Sequence, residues 1–344
     1  MDNFFKIKGK KLLSKCPPDV NPEEWKIFRN NFDLAGNYSD LGYPIQLDIE
    51  LNGGCNMSCP FCLHGYEDIP NIELSLKAYR EVIKQAVDIG VKSIKFNYIN
   101  EPMLRKDLES CIKYAKEQGI INVYMVTNGT VLNKKRRESL LASGITKVFV
   151  SLDATTKETY EKQRLSGMFE KVKTNIKEFI KLRNSENKEF PLVRVSFLKN
   201  SLNIHEAPDF EKEWSGVADI INFQTMNEVP DMETGLLIEE SIIPEKGCNF
   251  PFKQLVVDHL GNIQPCCKLD GKKLIVGNIK DMTLKEAWNS DKYKRLRELH
   301  KGDGWKQHPV CFKCMVPNYK EKTIKEDENI PTKDITNIPK GVYT

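Results

Sequence analysis

From Pro44 onward the chain alternates short apolar runs with amphipathic stretches, and this alternation restricts the fold more than any other feature. Strand-like runs fall at 45–51, 93–97, 122–126, 147–152, 193–197 and 219–223. Helical spacing occupies 74–89, 104–118, 133–142, 168–183 and 206–213 between them. Strands separated by helices pair in parallel, so the pattern predicts an α/β sheet closed partly or wholly into a barrel. Chemistry on such sheets gathers at the carboxyl ends of the strands. The residues just after each run therefore carry most of the interest.

The flanking segments differ in texture. Residues 1–43 are polar and Asn-rich and read as an N-terminal extension, with Trp25, Phe28 and Phe32 spaced for one helix face. The α/β unit spans 44–230. Over 231–320 Gly and Pro become frequent, helices shorten, and five of the ten cysteines appear, which predicts a smaller metal-organised module. Residues 321–344, rich in Lys, Glu, Asp, Thr and Pro, predict a flexible tail.

Charge and hydropathy narrow the function classes. Lys and Arg total 52 against 48 Asp and Glu, a net charge of +4 with no dense basic stripe, so no nucleic-acid partner is expected. The run Lys134-Lys135-Arg136-Arg137-Glu138 reads as a solvated helix face. No apolar run approaches the roughly 18 residues of a membrane helix, and the start has no secretory pattern. The expected location is cytoplasmic, where thiols stay reduced, so ten cysteines point to metal rather than disulfides.

Cys55, Cys59 and Cys62 lie within eight residues, just after the first strand run. Three thiolates can wrap one face of a metal cluster and leave one iron open to a cofactor or substrate. A zinc knuckle with His64 as fourth ligand is the other reading. The pattern Cys55-x-x-x-Cys59-x-x-Cys62, with Phe61 before the last cysteine, resembles the signature of the radical S-adenosylmethionine superfamily. The resemblance implies a partial (β/α)6 TIM-like barrel and a [4Fe–4S] cluster on these three cysteines. It further implies S-adenosylmethionine on the fourth iron, and a 5′-deoxyadenosyl radical that removes a hydrogen atom from the substrate.

By the same resemblance Phe61 meets the adenine, and Ile99-Asn100-Glu101-Pro102 stands where the family has Gly-Gly-Glu-Pro at the methionine amino group. Both glycines are replaced here. Asn128 follows the third strand run, where polar groups face the cofactor; an ordinary turn residue before Gly129 is the alternative. Ser151 and Arg164 resemble the pair that holds the cofactor carboxylate, a task suited to a fixed guanidinium. A surface arginine is the plainer reading of Arg164.

The C-terminal module holds Cys248, Cys266, Cys267, Cys311 and Cys314, with His259, His300 and His308 nearby in sequence. On spacing alone the Cys311-x-x-Cys314 clip with Cys248 and Cys266 suits a zinc ribbon as well as an iron–sulfur cluster. The context from Leu255 through Gly261, Pro265-Cys266, Gly277-Asn278 and Trp288 to the clip resembles the SPASM/twitch extension. That implies a second [4Fe–4S] cluster on Cys248, Cys266, Cys311 and Cys314, in the single-cluster twitch form. Cys16 and Cys111 fall outside both motifs, and Cys111, among Leu108, Ile112 and Ala115, reads as a buried structural thiol.

The expected reaction is oxidation of an alcohol on a sugar, aminosugar or cyclitol, with the second cluster taking the electron and a flavodoxin or ferredoxin supplying the first. The alternatives are a maturase or epimerase of a ribosomally made peptide, or a radical sugar epimerase, in which Cys267 would be the hydrogen-atom donor. A non-enzymatic electron carrier is the third class. No acid–base residue is identifiable.

Overall fold

The computed structural model describes residues 5–226, 234–236, 238, 246–266 and 269–312. In chain order these form β1 (Phe5–Lys8), α1 (Pro22–Gly36), β2 (Gln46–Ile49), α2 (Leu76–Asp88), β3 (Ser93–Lys95), α3 (Leu108–Glu117) and β4 (Asn122–Thr127). There follow α4 (Lys134–Leu141), β5 (Lys147–Ser151), α5 (Lys157–Arg164), α6 (Phe169–Ser185), β6 (Leu192–Lys199), α7 (Ala207–Trp214) and β7 (Ile220–Thr225). The C-terminal module adds α8 (Phe250–Lys253), β8 (Gln254–Val257), β9 (Asn262–Gln264), β10 (Gly277–Asn278), α9 (Leu284–Asn289) and α10 (Asp291–Lys301). All six strand runs read from the sequence are strands, with ends shifted by no more than two residues. The proposed tail at 321–344 lies outside the described residues.

One sheet runs in the order β1-β7-β6-β5-β4-β3-β2-β8-β9-β10. Strands β2 to β7 pair in parallel with their neighbours, and β8 joins β2, also in parallel. The edges are antiparallel: β1 closes on β7, and β8, β9 and β10 form a meander. The fold is thus α/β with a mostly parallel sheet of the partial-barrel kind, and the C-terminal module is stitched into the same sheet. Among the described residues no helix is long and apolar enough to cross a membrane.

The two faces of the sheet differ. Leu47, Ile49, Leu51, Val148, Val150, Val193, Val195, Ile221 and Phe223 share one buried cluster with Ile83, Ile112, Ile176, Phe210 and Trp214 of the helices. Because side chains alternate along a strand, Gln46, Asp48, Glu50 and Asn52, with Arg194, Ser196 and Asn222, point into the lumen. There Lys95 Nζ lies 2.5 Å from Asp48, whose carboxyl is pushed up by burial and drawn back by that lysine. A polar lumen beneath an apolar outer shell is suited to hold a polar ligand rather than to act as core.

Helix α1 closes the amino end of the barrel. Asn21 caps it through Oδ1 bonds from the Glu23 and Glu24 amides, at 2.9 and 3.2 Å, and Pro22 opens it. Trp25 and Phe28 then pack on Ile45, Ile121 and Phe252. Under this lid Lys147 is buried, its Nζ bonded to Asn122 Oδ1 and 5.3 Å from the Trp25 ring centroid. Burial, with Arg29 and Lys116 adding to it, lowers the Lys147 pKa from 10.5 to about 7.

Between pH 7 and 10.5 the folded state binds fewer protons at Lys147 than the unfolded chain, so stability contributed there rises with pH. Below 7 both states are protonated and the full burial penalty stands. Each pH unit of that interval corresponds to about 1.4 kcal/mol. Lys147→Met is therefore expected to raise Tm at pH 6.5, with the gain over wild type shrinking as pH approaches 10. Calorimetry across that range checks this, and a gain that is constant with pH would contradict it.

Candidate iron–sulfur and cofactor site

The three clustered cysteines sit on the loop that leaves β2 at the carboxyl end of the barrel. Gly53 and Gly54 begin it because the chain passes too close to its neighbours for a side chain. A Cβ at Gly53 would lie 2.4 Å from Pro70 O and 2.6 Å from His259 Nε2, and one at Gly54 2.4 Å from Asn71 Oδ1. The Cys62 amide donates to Cys59 O at 3.0 Å and Gly65 N to Cys62 O at 2.8 Å, which coils the loop back on itself. Cys55 and Cys62 each sense the charge of the neighbouring cysteines, and none of the three is in a disulfide.

Burial pushes the Cys55 thiol up to about 12 and the Cys62 thiol also upward. Such a set is poorly suited to bare thiolates and well suited to thiolates neutralised by metal. The His64 ring bonds the Gly53 carbonyl, senses Glu50, Lys272 and His259, and keeps a buried Nε2 without a partner.

The loops around the cysteines are strapped together by side chains that the sequence marks for cofactor contact. Glu101, 2% exposed, accepts from Thr127 Oγ1 and Asn128 N at 2.7 Å and from Met103 N at 3.0 Å. Burial raises its pKa against those donors. Its amide in turn donates to Gly54 O at 3.0 Å. Asn100 Nδ2 donates to Asn52 Oδ1 at 3.0 Å, while Asn128 Nδ2 donates to Asn56 Oδ1 at 2.8 Å. Asn128 is therefore both the turn residue before Gly129, whose φ is 75°, and a tie to the cysteine loop.

Arg136 departs from the sequence reading. Lys134 and Lys135 are exposed, but Arg136 turns inward and donates to the carbonyls of Met103, Arg105 and Lys106 at 3.1–3.3 Å, anchoring the segment after Glu101. The helix read over 104–118 accordingly starts only at Leu108, after a short 3-10 turn at Pro102–Leu104.

Across the lumen Ser151 ends β5, half-buried, in register with Ser196. Arg164 is not a surface residue. It is 8% exposed, ion-paired with Asp153, lies 5.5 Å from the Phe61 ring centroid, and directs Nη1 to Cys59 Sγ at 3.6 Å. Asp153, at φ 63°, is fixed by the Leu198 amide at 2.7 Å and through its own carbonyl by Asn203 Nδ2 at 2.9 Å.

In the C-terminal module the β8–β9 hairpin turns on Asp258, which accepts from the Leu260 and Asn262 amides at 2.9 and 2.8 Å, and on Gly261 with φ 84°. It leads to Pro265-Cys266. The Cys248 amide donates to His300 Nδ1 at 2.9 Å, and Gly247 lies so close to His300 that a Cβ would be 2.3 Å from its carbonyl oxygen. Burial lowers the His300 pKa to about 4, so the ring is a neutral acceptor. The buried Tyr293 hydroxyl of α10 senses the charge of both Cys266 and Cys248. Cys311 packs with Leu296 and Trp305, and its amide lies 3.3 Å from His308 Nδ1. The two histidines thus position cysteine loops. Cys267 and Cys314 lie outside the described residues, and Cys111 is a buried core residue of α3.

Sequence reading passed over Glu50, whose carboxylate accepts from Ile99 and Asn100 amides at 3.0 and 3.1 Å and lies 2.5 Å from His259 Nδ1. The signal was available: polar residues alternate through Gln46, Asp48, Glu50 and Asn52 in a strand that is otherwise apolar.

Residues 49–189 match the Radical SAM superfamily model, and residues 248–315 match SPASM, an iron–sulfur cluster-binding domain. A probable GTP 3′,8-cyclase of Methanocaldococcus jannaschii is 31% identical over 186 residues, 53% of this chain and 60% of the relative. One from Saccharolobus solfataricus is 32% identical over 171 residues, 49% of this chain and 53% of the relative. The chain thus spans little more than half the length of these relatives. Among solved structures, anSMEcpe with bound AdoMet superposes with TM-score 0.59 at 18% identity, covering 78% of this chain and 84% of the other. SuiB of Streptococcus suis bound to the precursor peptide SuiA gives 0.56 at 19%, covering 84% and 76%. BtrN in complex with AdoMet and 2-DOIA gives 0.51 at 21%, covering 78% and 91%. At these identities the likeness is one of fold.

Two four-iron clusters would give about eight irons per chain after anaerobic reconstitution. Replacing Cys55, Cys59 and Cys62 together with alanine is expected to remove half of that iron and all reductive cleavage of S-adenosylmethionine. Cys266→Ala should lose the other half and Cys267→Ala none. Stoichiometric zinc at the C-terminal cysteines of the native protein would contradict this assignment.

Proposed function

The chain belongs to the radical SAM superfamily and carries a SPASM domain, and from that premise we propose that it oxidises an alcohol carbon of a sugar, aminosugar or cyclitol. Cys55, Cys59 and Cys62 would hold one [4Fe–4S] cluster; Cys248, Cys266, Cys311 and Cys314 would hold a second. Phe61, Asn100, Glu101, Asn128, Ser151 and Arg164 would surround S-adenosylmethionine. When bound, these groups supply hydrogen-atom abstraction and an acceptor for the electron left behind, with a flavodoxin or ferredoxin as the outside reductant.

The observation that carries the substrate class is the unsatisfied polarity of the lumen. Ser196 Oγ, both amide atoms of Asn222 and Arg194 Nε are buried without a hydrogen-bond partner. Ser196 and Asn222 stand opposite each other in register on β6 and β7, and Ser151 stands opposite Ser196 on β5. An unpaired buried polar group costs about 1–3 kcal/mol. A polyhydroxylated ring offers both the donors and the acceptors that such a wall requires, and an aliphatic peptide side chain offers neither. Residues before Pro44 support the same reading, since β1 and α1 pack onto the barrel itself.

The acceptor role of the second cluster is supported by the sheet. β8 pairs with β2, the strand that feeds the Cys55 loop, so both cysteine sets hang from neighbouring strands. Glu50, the residue after β2, meets His259 of the hairpin that leads to Cys266, which links the two loops mechanically.

Turnover in heavy water separates the possible outcomes. The reconstituted enzyme is incubated with aminocyclitols and aminosugars, with GTP and with peptides, and 5′-deoxyadenosine and product mass are followed. The expected product is a cyclitol or sugar two mass units lighter than substrate, with no deuterium on carbon. Deuterium in a product of unchanged oxidation level, lost in Cys267→Ala, would favour epimerisation, and turnover of peptides alone would favour a maturase.

A further inference from the structure

We infer that Arg164 sets the reduction potential of the N-terminal cluster, acting through the Cys59 ligand. The inference rests on Cys55, Cys59 and Cys62 holding that cluster. Arg164 Nη1 donates toward Cys59 Sγ at 3.6 Å, while Nη2 is tied to Asp153 and the guanidinium carbon lies 5.5 Å from the Phe61 ring centroid. The side chain is 10% exposed and that of Asp153 1% exposed, so solvent screens neither charge effectively. Arginine stays charged in proteins, so this is a fixed cation beside a cluster ligand.

Cluster potentials depend on net charge and on hydrogen bonds to the sulfurs. One-electron reduction of the cluster by an outside donor adds a unit of negative charge, shared with the thiolate ligands. A cation held against Cys59 stabilises the reduced form more than the oxidised form and raises the potential. Asp153 opposes it in part, and its orientation by Leu198 and Asn203 keeps the pair in place.

The geometry also bears on the carboxylate-holding role read from sequence. With Nη1 and Nη2 engaged, the buried Nε is the nitrogen of Arg164 left without a partner. Nε–H and the second hydrogens of Nη1 and Nη2 remain for a cofactor carboxylate without opening the Asp153 pair.

The test is a redox titration, monitored by electron paramagnetic resonance, of reconstituted protein in a Cys266→Ala background that removes the second cluster signal. Dithionite is the reductant. Arg164→Met is expected to shift the reduction equilibrium toward the oxidised cluster by about tenfold, a fall of 59 mV for a one-electron couple. Asp153→Asn should shift it the opposite way, and Arg164→Lys, which keeps the charge, should lie between Arg164→Met and wild type. Iron content reports whether each variant holds its cluster, so loss of cluster binding is distinguishable from a shifted potential. If Arg164→Met fails to load iron, the Asp153→Asn and Arg164→Lys titrations carry the test. Potentials equal to wild type, accompanied by weakened S-adenosylmethionine binding, would overturn the inference in favour of a carboxylate clamp.

Discussion

The buried carboxylate of Glu101 is the interaction on which the carboxyl face of the barrel depends. It satisfies the Thr127 hydroxyl and the Asn128 and Met103 amides together, while its own amide reaches Gly54. Three loops, after β2, β3 and β4, are thereby joined at one point. Desolvation works against the charge, and three donors work for it. Removing the acceptor would leave those donors buried and unpaired, which costs far more than one surface hydrogen bond is worth.

Around that point the cysteine loop is held from both sides. Asn56 is tied to Asn128 and Thr130, and Asn52 to Asn100, so the loop's position is fixed independently of its thiols. Glu50 extends the arrangement to the C-terminal module. It holds the Ile99 and Asn100 amides with one oxygen and His259 with the other. Gly53 lets the His259 ring pass, since any side chain there would collide with it. The segment from Ile99 to Pro102 and the hairpin that leads to Cys266 are thus set by a single side chain. This is a physical reason for the module to belong to the same sheet as the barrel.

The polar lumen has a further consequence. The outer face of the sheet binds the helices through apolar burial and is closed to ligands. The inner face keeps polar atoms, some without partners, where a packed core would place Leu or Val. Polar groups withdrawn from water in this way are stable only when something else bonds them. The lumen wall is therefore suited in composition to a polar ligand, as the outer face is suited to the helices.

The class of fold was legible along the chain, because strand and helix periodicities are local and strong: the six strand runs from Gln46 to Thr225 are all present. The sequence by itself also determined where the thiols gather, because Cys55, Cys59 and Cys62 are close along the chain and loop closure is short. It did not reveal β1 or the way β8 joins β2, since edge pairing across some 200 residues leaves no local period. Side-chain destinations were decided only by tertiary structure. Arg136 reads as a solvated charge and is drawn to three carbonyls, and Arg164, for which the sequence also allows a surface position, is buried between Asp153 and Cys59. A long, charged side chain has no periodicity of its own. Where it ends is set by the unpaired acceptors that other segments, distant in sequence, bring within its reach.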